Sequence, residues 1–145
     1  MSGVVAPLEL RRARDRPRGH RARVPRGIRI RRLGRLRGLT VWLVDGERVR
    51  GEVHIDFVAG GSDARYSYIP KNEVWIEAVM TPLDRAATLL HEVTERGEMV
   101  RGATYDRAHE TACVYEERFR SEGREIDESH IRLVERLIDE YGARV

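Results

Sequence analysis

The sequence predicts an α+β fold, with a small antiparallel sheet of three or four strands followed by a helical hairpin and a C-terminal helix. Three observations support this class. Short runs of alternating apolar and polar residues, broken by Gly, Pro and Asp, lie between residues 39 and 79 and are typical of strands. Two long segments then carry apolar residues at helical spacing. A further amphipathic segment ends the chain, so strands and helices are segregated along the sequence.

The strand assignments follow the turn residues. Leu39–Val44 and Glu47–Val58 are predicted to form a β-hairpin, because the Asp45–Gly46 pair between them favours a two-residue turn with positive φ. Arg65–Ile69 and Glu73–Val79 have the composition of two further short strands. Since short turns join successive strands, we expect the pairing to be antiparallel.

Helices are predicted at about residues 82–100 and 105–120, with Thr81 and Thr104 as N-caps. Pro82 suits the first helical position of the first of them. A third helix is expected to begin at an Asp127 N-cap and to end at Gly142. Their core-facing stripes are Leu83, Ala87, Leu90 and either Val93 or Thr94 in the first helix, Ala108, Ala112, Tyr115 and Phe119 in the second, and Ile131, Val134, Leu137, Ile138 and Tyr141 in the third.

Charge divides the 145-residue chain into two parts. Residues 1–40 hold 13 arginines against two acidic residues, whereas residues 41–145 hold 14 basic and 22 acidic ones. We expect residues 1–27 to form a flexible Arg-rich arm, because they have too few large apolar groups to bury, and residues 28–145 to form one α+β domain. Such an arm is either a simple tail or a nonspecific contact with nucleic acid.

Cysteine usage and hydropathy bear on the compartment. Cys113 is the only cysteine, which excludes an internal disulfide and fits a reducing environment. No apolar run has the length of a membrane span, and the N-terminal residues lack the apolar core of a secretory signal. We therefore expect a cytoplasmic protein that has no membrane partner.

The two long helices carry a candidate metal site. His91 and Glu95 are four residues apart and therefore share a helix face, and His109 on the antiparallel neighbour can supply a third ligand. Imidazole nitrogen and carboxylate oxygen suit Zn²⁺ or another divalent transition metal, and catalytic zinc sites use three protein ligands. Glu92 points about 100° round the helix from His91. It is the candidate general base for a metal-activated water.

Other interpretations of these residues remain open. The face of His91 and Glu95 could instead be solvated and paired with nearby arginines. Cys113, one turn after His109, could complete a four-ligand structural site, although a small core thiol is the simpler interpretation. Glu98 is a spare carboxylate two turns from His91. His54 and Asp56 alternate with apolar residues, and a solvated strand face is favoured there over a ligand pair.

The order of these motifs resembles a minimal zincin-type metallopeptidase core. Strand E-V-W-I-E at Glu73–Glu77, H-E-x-x-E from His91 and Y-D-R-A-H-E-T-A from Tyr105 carry the resemblance. The stretch G-G…Y-x-x-I-P-x-N-E-x-W-I, between Gly60 and Ile76, is also similar to a group of small uncharacterised microbial proteins. The likeness covers residues 39 to 120. It departs from zincins in that Glu95 replaces the second His, and His109 is assigned by position.

The zincin resemblance implies a function. Its first metal ligand and its general base correspond to His91 and Glu92, and the strand at residues 73–79 would border the cleft and pair with an extended peptide or protein substrate. The leading hypothesis is therefore a zinc-dependent peptidase-like hydrolase with ligands His91, Glu95 and His109. The alternative is a non-enzymatic interaction module, metal-stabilised or metal-free, whose basic arm contacts nucleic acid.

Overall fold

The computed structural model describes residues 23–145, in which a four-stranded sheet is combined with four helices. The α+β class is confirmed. Residues 1–22, which make up most of the expected arm, lie outside the described residues. The elements are β1 (Arg29–Leu36), β2 (Leu39–Val44), α1 (Gly46–Glu52), β3 (Gly60–Ser62), β4 (Glu73–Glu77), α2 (Pro82–Val100), α3 (Tyr105–Ser121) and α4 (His130–Tyr141).

The sheet is mixed, with strand order β1-β2-β4-β3. Strands β1 and β2 are antiparallel, as are β3 and β4, but β2 and β4 run parallel, with Val41 opposite Val74. The expectation of a purely antiparallel sheet was therefore wrong for the central pair. Parallel neighbours need a crossover of a dozen or more residues. Here residues 45–72, including α1 and β3, form that connection.

The predicted hairpin at Asp45–Gly46 was also wrong. Asp45 has φ −81° and is the N-cap of α1, where its side chain accepts a hydrogen bond from the Arg48 backbone N–H at 3.1 Å. Residues 47–58, expected to be a strand, are a short helix followed by a loop. The true hairpin joins β1 to β2, where Arg37 and Gly38 have φ of 49° and 85° and so supply the positive φ values of a tight turn.

The segment expected to be a strand at Arg65–Ile69 is a series of turns. An ion pair, rather than strand pairing, holds the loop between β3 and β4 against α2. The carboxylate of Asp63, which is buried, accepts from Arg96 Nε at 2.5 Å and from the Asn72 backbone N–H at 2.7 Å. This loop is therefore held against the helix that carries the candidate ligands.

Successive side chains along the two central strands point to opposite faces of the sheet, and each face carries a hydrophobic cluster. On one face the side chains of β2 and β4 pack against α2 and α4, and α3 packs on α2 through Phe119. On the other face Trp75 lies among residues of α1 and of the loops that follow it. The largest fully buried side chains of the first cluster are Leu36, Ile76, Leu89, Leu90, Phe119, Leu137 and Ile138. Helix α2 is consequently buried along most of its length.

The long helices agree with the expected bounds. Helix α2 spans Pro82–Val100 with Thr81 as its N-cap, and α3 extends one residue further than expected, to Ser121. Helix α4 begins later than expected, because Ser129 rather than Asp127 caps it, and Gly142 ends it with φ 69°. None of the helices between residues 23 and 145 has an apolar stretch that could cross a membrane.

Candidate metal centre

Three candidate ligand atoms from α2 and α3 meet at one point. His91 Nε2 lies 3.0 Å from Glu95 Oε2 and 3.2 Å from His109 Nδ1, and the third side of this triangle is 3.1 Å. Tetrahedral ligands at zinc bond lengths would be roughly 3.3 Å apart. The ligand triangle of His91, Glu95 and His109 therefore has the dimensions that a small divalent ion needs, with room for a further ligand.

The local sequence explains why these atoms converge. The i, i+4 spacing places His91 and Glu95 one above the other on α2, and the tight turn at Gly102, with φ 105°, returns the chain antiparallel so that α3 presents His109 to them. His91 and Glu95 are buried, at 7% and 3% exposure, whereas the His109 side chain is 46% exposed. The triangle is thus closed on the α2 side and open toward His109.

The three atoms of the ligand triangle cannot all be unprotonated acceptors. A carboxylate oxygen and two imidazole lone pairs directed at one another would repel, so either shared protons or a cation must lie among them. Burial disfavours the charged form of His91, but contacts with Glu116 and Glu95 and the charge of Glu92 outweigh it and raise the pKa of His91 to about 10. A metal ion that displaces this proton would satisfy the same three acceptors.

Glu116 of α3 supports the triangle from the other side of the His91 ring. Its Oε1 lies 2.9 Å from His91 Nδ1, in contact but not aligned as a hydrogen bond. Arg120 holds the same carboxylate through Nε at 2.8 Å and reaches Asp84 of α2 at 2.8 Å. The contact with His91 is the main cause that lowers the pKa of Glu116. A carboxylate placed there directs Nε2 of His91 toward the ligand triangle.

Glu116 is the functional residue that sequence reasoning missed. It lies seven residues after His109, two helical turns along the same face of α3, and this spacing was the available signal. The contact with His91 depends on how α2 crosses α3, which the sequence does not specify.

Glu92 lies beside the ligand triangle in an enclosed position. Burial is the main cause that raises its pKa, and repulsion by Glu95 and Glu116 adds to this against the attraction of His91, so the pKa of Glu92 is about 8. A carboxyl group with this pKa exchanges a proton near neutral pH, which is the property of a general acid or base. Its side chain packs against Gly60 of β3, where an added Cβ would lie 3.2 Å from Glu92 Cγ.

The other candidate ligands from the sequence lie outside the ligand triangle. Cys113 Sγ is 3.5 Å from His109 Nε2, the nitrogen on the far side of the ring from the triangle, and burial is the main cause that raises the pKa of its thiol. Glu98 pairs with Arg144 at 3.2 Å instead of joining the site. His54 and Asp56 contact each other at 3.7 Å on an exposed loop. The paired-arginine interpretation fails for His91 and Glu95, whose close partners are each other, His109 and Glu116.

A cleft of about 440 Å³ gives access to the ligand triangle, and this volume is in the range of small-molecule and peptide sites. One wall is the polypeptide from Asp56 to Gly60, which precedes and enters the edge strand β3. The lining also includes residues of α2 and residues along α3 from Tyr105 to Arg120. The expectation that the strand at residues 73–79 borders the cleft and pairs with a substrate was wrong, because β2 and β3 already pair with the two edges of β4. Two tyrosines, Tyr66 and Tyr105, belong to the lining, and the Tyr105 ring is 5.5 Å from the imidazole of His109. The cleft is rich in carboxylates, which come from Asp56, Asp84, Glu92, Glu95 and Glu116.

Comparison of the chain with protein-family models, curated proteins and solved structures finds no match. The geometry of the ligand triangle and its surroundings is therefore the basis for assigning a function.

Proposed function

We propose that this chain is a metal-dependent hydrolase of the zincin-like peptidase type. His91, Glu95 and His109 would hold a divalent transition metal ion, with zinc the first candidate because it accepts two imidazoles and a carboxylate. The observation that carries the proposal is the ligand triangle, whose sides are 3.0 to 3.2 Å. Peptide or protein is the proposed substrate and the cytoplasm the proposed compartment.

The residues around the triangle have distinct roles in this proposal. A bound divalent ion supplies Lewis-acid activation of water and of a carbonyl group. The neutral imidazoles of His91 and His109 and the carboxylate of Glu95 would hold it. The Glu116 carboxylate, 2.9 Å from His91 Nδ1, would favour a proton on that nitrogen so that Nε2 presents its lone pair. Glu92, which is buried beside His91 and Glu95, would accept the proton of the attacking water, because a nearby divalent ion favours its carboxylate form.

These groups account for each bond and each proton transfer in the hydrolysis. The water oxygen forms a bond to the carbonyl carbon as its proton passes to Glu92. The carbon–nitrogen bond then breaks, and Glu92 gives the proton to the leaving nitrogen. Burial favours the neutral acid in the second step, because the protonated carboxyl is the form that an enclosed site stabilises.

Metal analysis of the purified protein tests the first part of the proposal. Protein prepared without chelators should contain about one zinc or similar ion per chain, and His91→Ala should lose it because a catalytic site with two ligands binds weakly. His54→Ala is the matched control, since His54 lies outside the triangle and its side chain is 41% exposed. A wild-type protein that neither contains nor takes up a divalent ion would overturn the metal site.

Glu92→Gln tests the catalytic part. The variant should keep its ion and lose about 10²- to 10⁴-fold in turnover of an unfolded protein substrate, the usual contribution of a general base. Glu98→Gln makes the same change of charge on the same helix, where Glu98 pairs with Arg144, and should retain activity. Equal turnover by wild type and Glu92→Gln would refute the role of Glu92.

A non-enzymatic, metal-stabilised module is the second candidate, and the 3.5 Å contact between Cys113 Sγ and His109 Nε2 is the observation in its favour. Ligand atoms of His91, His109 and Cys113 lie within 4.8 Å of one another, so a thiolate could join the two imidazoles in a closed structural site. Cys113→Ser distinguishes the two. Loss of the ion in this variant supports the structural site, whereas an unchanged ion content supports the hydrolase.

The second candidate includes a nucleic-acid contact through the Arg-rich N-terminal residues. Removal of residues 1–22 should abolish retention on DNA at low salt, since each phosphate contact contributes to the salt dependence of binding. The full chain eluted at increasing salt is the comparison. Equal retention of both proteins would exclude these residues as the contact.

A further inference from the structure

Arg65 places a positive charge at the edge of this acidic cleft. Its guanidinium carbon lies 3.9 Å from the centroid of the Tyr105 ring and 5.7 Å from that of Tyr66. Both rings line the cleft, and the Tyr105 ring is in turn 5.5 Å from the imidazole of His109. The Tyr105 ring therefore contacts both the guanidinium of Arg65 and the imidazole of His109, a member of the ligand triangle.

The charge of Arg65 has no acidic partner among residues 23–145. The described ion pairs engage other arginines, and Arg120, the arginine that lines the cleft, is occupied by both Glu116 and Asp84. In addition, Arg65 Nε is buried without a hydrogen-bond partner. A buried donor on a cationic group costs free energy unless a partner satisfies it. Apart from a hydrogen bond with the Tyr66 side chain, the guanidinium therefore leaves its charge available to an anion from outside residues 23–145.

The surroundings fix the guanidinium in place. Stacking on an aromatic face holds the plane of an arginine while leaving its N–H edge free for a planar acceptor. The Arg65 backbone N–H donates to Ser62 O at 3.2 Å, and the adjacent Asp63 is bound to Arg96 of α2. The side chain therefore projects from an anchored loop, and little ordering is needed when an anion binds.

We propose that Arg65 binds a carboxylate of the substrate, one or two residues away from the bond that is cleaved. A residue of extended peptide spans roughly 3.5 Å, so a peptide with its scissile carbonyl at the ligand triangle can pass the Tyr105 ring and reach the guanidinium within that length. Guanidinium and carboxylate form paired, charge-assisted hydrogen bonds. The carboxylate is the one that ends a peptide chain or one on an acidic side chain. The inference rests on the proposed hydrolase and names its substrate class.

Three versions of one peptide test this inference on the full-length, metal-loaded protein. The first ends in a free carboxylate, the second in an amide, and the third in an amide that follows a glutamate. The free acid should be cleaved about 10- to 100-fold more efficiently in kcat/KM than the amide, which is the size of effect expected from a charge-assisted pair. If the glutamyl amide matches the free acid, a side-chain carboxylate is also accepted; if it matches the plain amide, the terminal carboxylate alone is recognised.

Variants assign the effect to Arg65. In Arg65→Met, kcat/KM for the free acid should fall to the value for the amide, which itself should not change. Arg65→Lys should retain part of the preference for the acid, because it keeps the charge without the planar guanidinium. Arg107→Met is the matched control, since Arg107 is exposed on the first turn of α3. An amide cleaved as fast as the acid by wild type, or a preference unchanged in both Arg65 variants, would overturn the inference.

A direct binding measurement separates this inference from the hydrolase proposal. If the metal-loaded wild type cleaves none of the peptides, the proposed function fails, and calorimetric titration with N-acetylglycine then tests Arg65 alone. Binding that is lost in Arg65→Met and kept in Arg107→Met supports a carboxylate site. Wild-type protein that does not bind N-acetylglycine, or binds it equally without Arg65, refutes the site.

Discussion

The position of Glu116 determines which nitrogen of His91 can act as a ligand. An imidazole must carry a proton on one nitrogen to present a lone pair on the other, and Glu116 Oε1, 2.9 Å from Nδ1, favours the proton there. Nε2 is then left for the ligand triangle. A carboxylate outside the triangle thereby contributes to metal affinity without contacting the ion.

Glu116→Gln tests this support for His91. The amide cannot stabilise the Nδ1–H as strongly as a carboxylate, so we expect metal affinity to fall about 10- to 100-fold, as for other orienting partners of metal-bound histidines. The measurement is a competition titration against a chelator of known affinity. Glu117→Gln is the matched control, because the neighbouring Glu117 is exposed. An affinity equal to that of wild type would show that Glu116 does not orient His91.

Gly60 provides the space that Glu92 occupies. A Cβ at this position would lie 2.8 Å from Thr88 Cγ2, 3.1 Å from the Trp75 carbonyl oxygen and 3.2 Å from Glu92 Cγ. Gly60→Ala should therefore lower the free energy of unfolding by about 1–3 kcal/mol through overpacking and should also reduce turnover. Gly51→Ala is the control, because nothing lies within 4 Å of that position and alanine is the better helix former. Urea denaturation of both variants measures the change in the free energy of unfolding. A Gly60→Ala variant as stable as wild type would show that the neighbouring side chains accommodate the added Cβ without loss of stability.

At the scale of secondary structure, α1 is the element whose sequence signal was misread. The Asp45–Gly46 pair suits both a tight turn and a helix start, and in the structure φ of Asp45 is −81°, which belongs to the cap. Asp45→Ala should lower the free energy of unfolding by about 1 kcal/mol, as expected for loss of an N-cap. Asp45→Ser should be nearly neutral, since serine caps well but does not favour positive φ. Equal losses in the two variants, measured by urea denaturation, would contradict the capping role.

Local signals determined what the sequence could predict. The caps Thr81 and Thr104 and the apolar stripes of α2 and α3 lie within single helices, so the bounds of both helices and the convergence of His91 with Glu95 and His109 followed from spacing. The parallel pairing of β2 with β4 depends instead on how residues 45–72 cross the sheet. No short-range pattern records that path, because two short strands of similar composition can pair in either direction.

At the scale of the whole molecule, the metal-free and metal-bound proteins should respond oppositely to pH. The folded state raises the pKa of Glu92 from 4.5 to about 8 and that of His91 from 6.5 to about 10, so the native protein holds more protons than the unfolded chain at intermediate pH. Stability from these groups is complete below their unfolded values and is lost as pH rises through about 8 and then about 10. A bound ion requires the deprotonated ligands, so its contribution grows with pH.

Urea denaturation at pH 6, 7, 8 and 9 checks this prediction. In chelator the free energy of unfolding should decrease across the series, because burial has made the ionised form of Glu92 unfavourable. Glu92→Gln should flatten the decrease between pH 6 and 8, where the native protein still holds a Glu92 proton that the unfolded chain has released. Glu98→Gln, at the Arg144 pair, should leave the decrease unchanged. With excess zinc, the gain in stability over the chelated protein should increase with pH, since the ion competes with the proton on His91. A gain independent of pH would mean that the ion binds without displacing that proton, and therefore outside the ligand triangle.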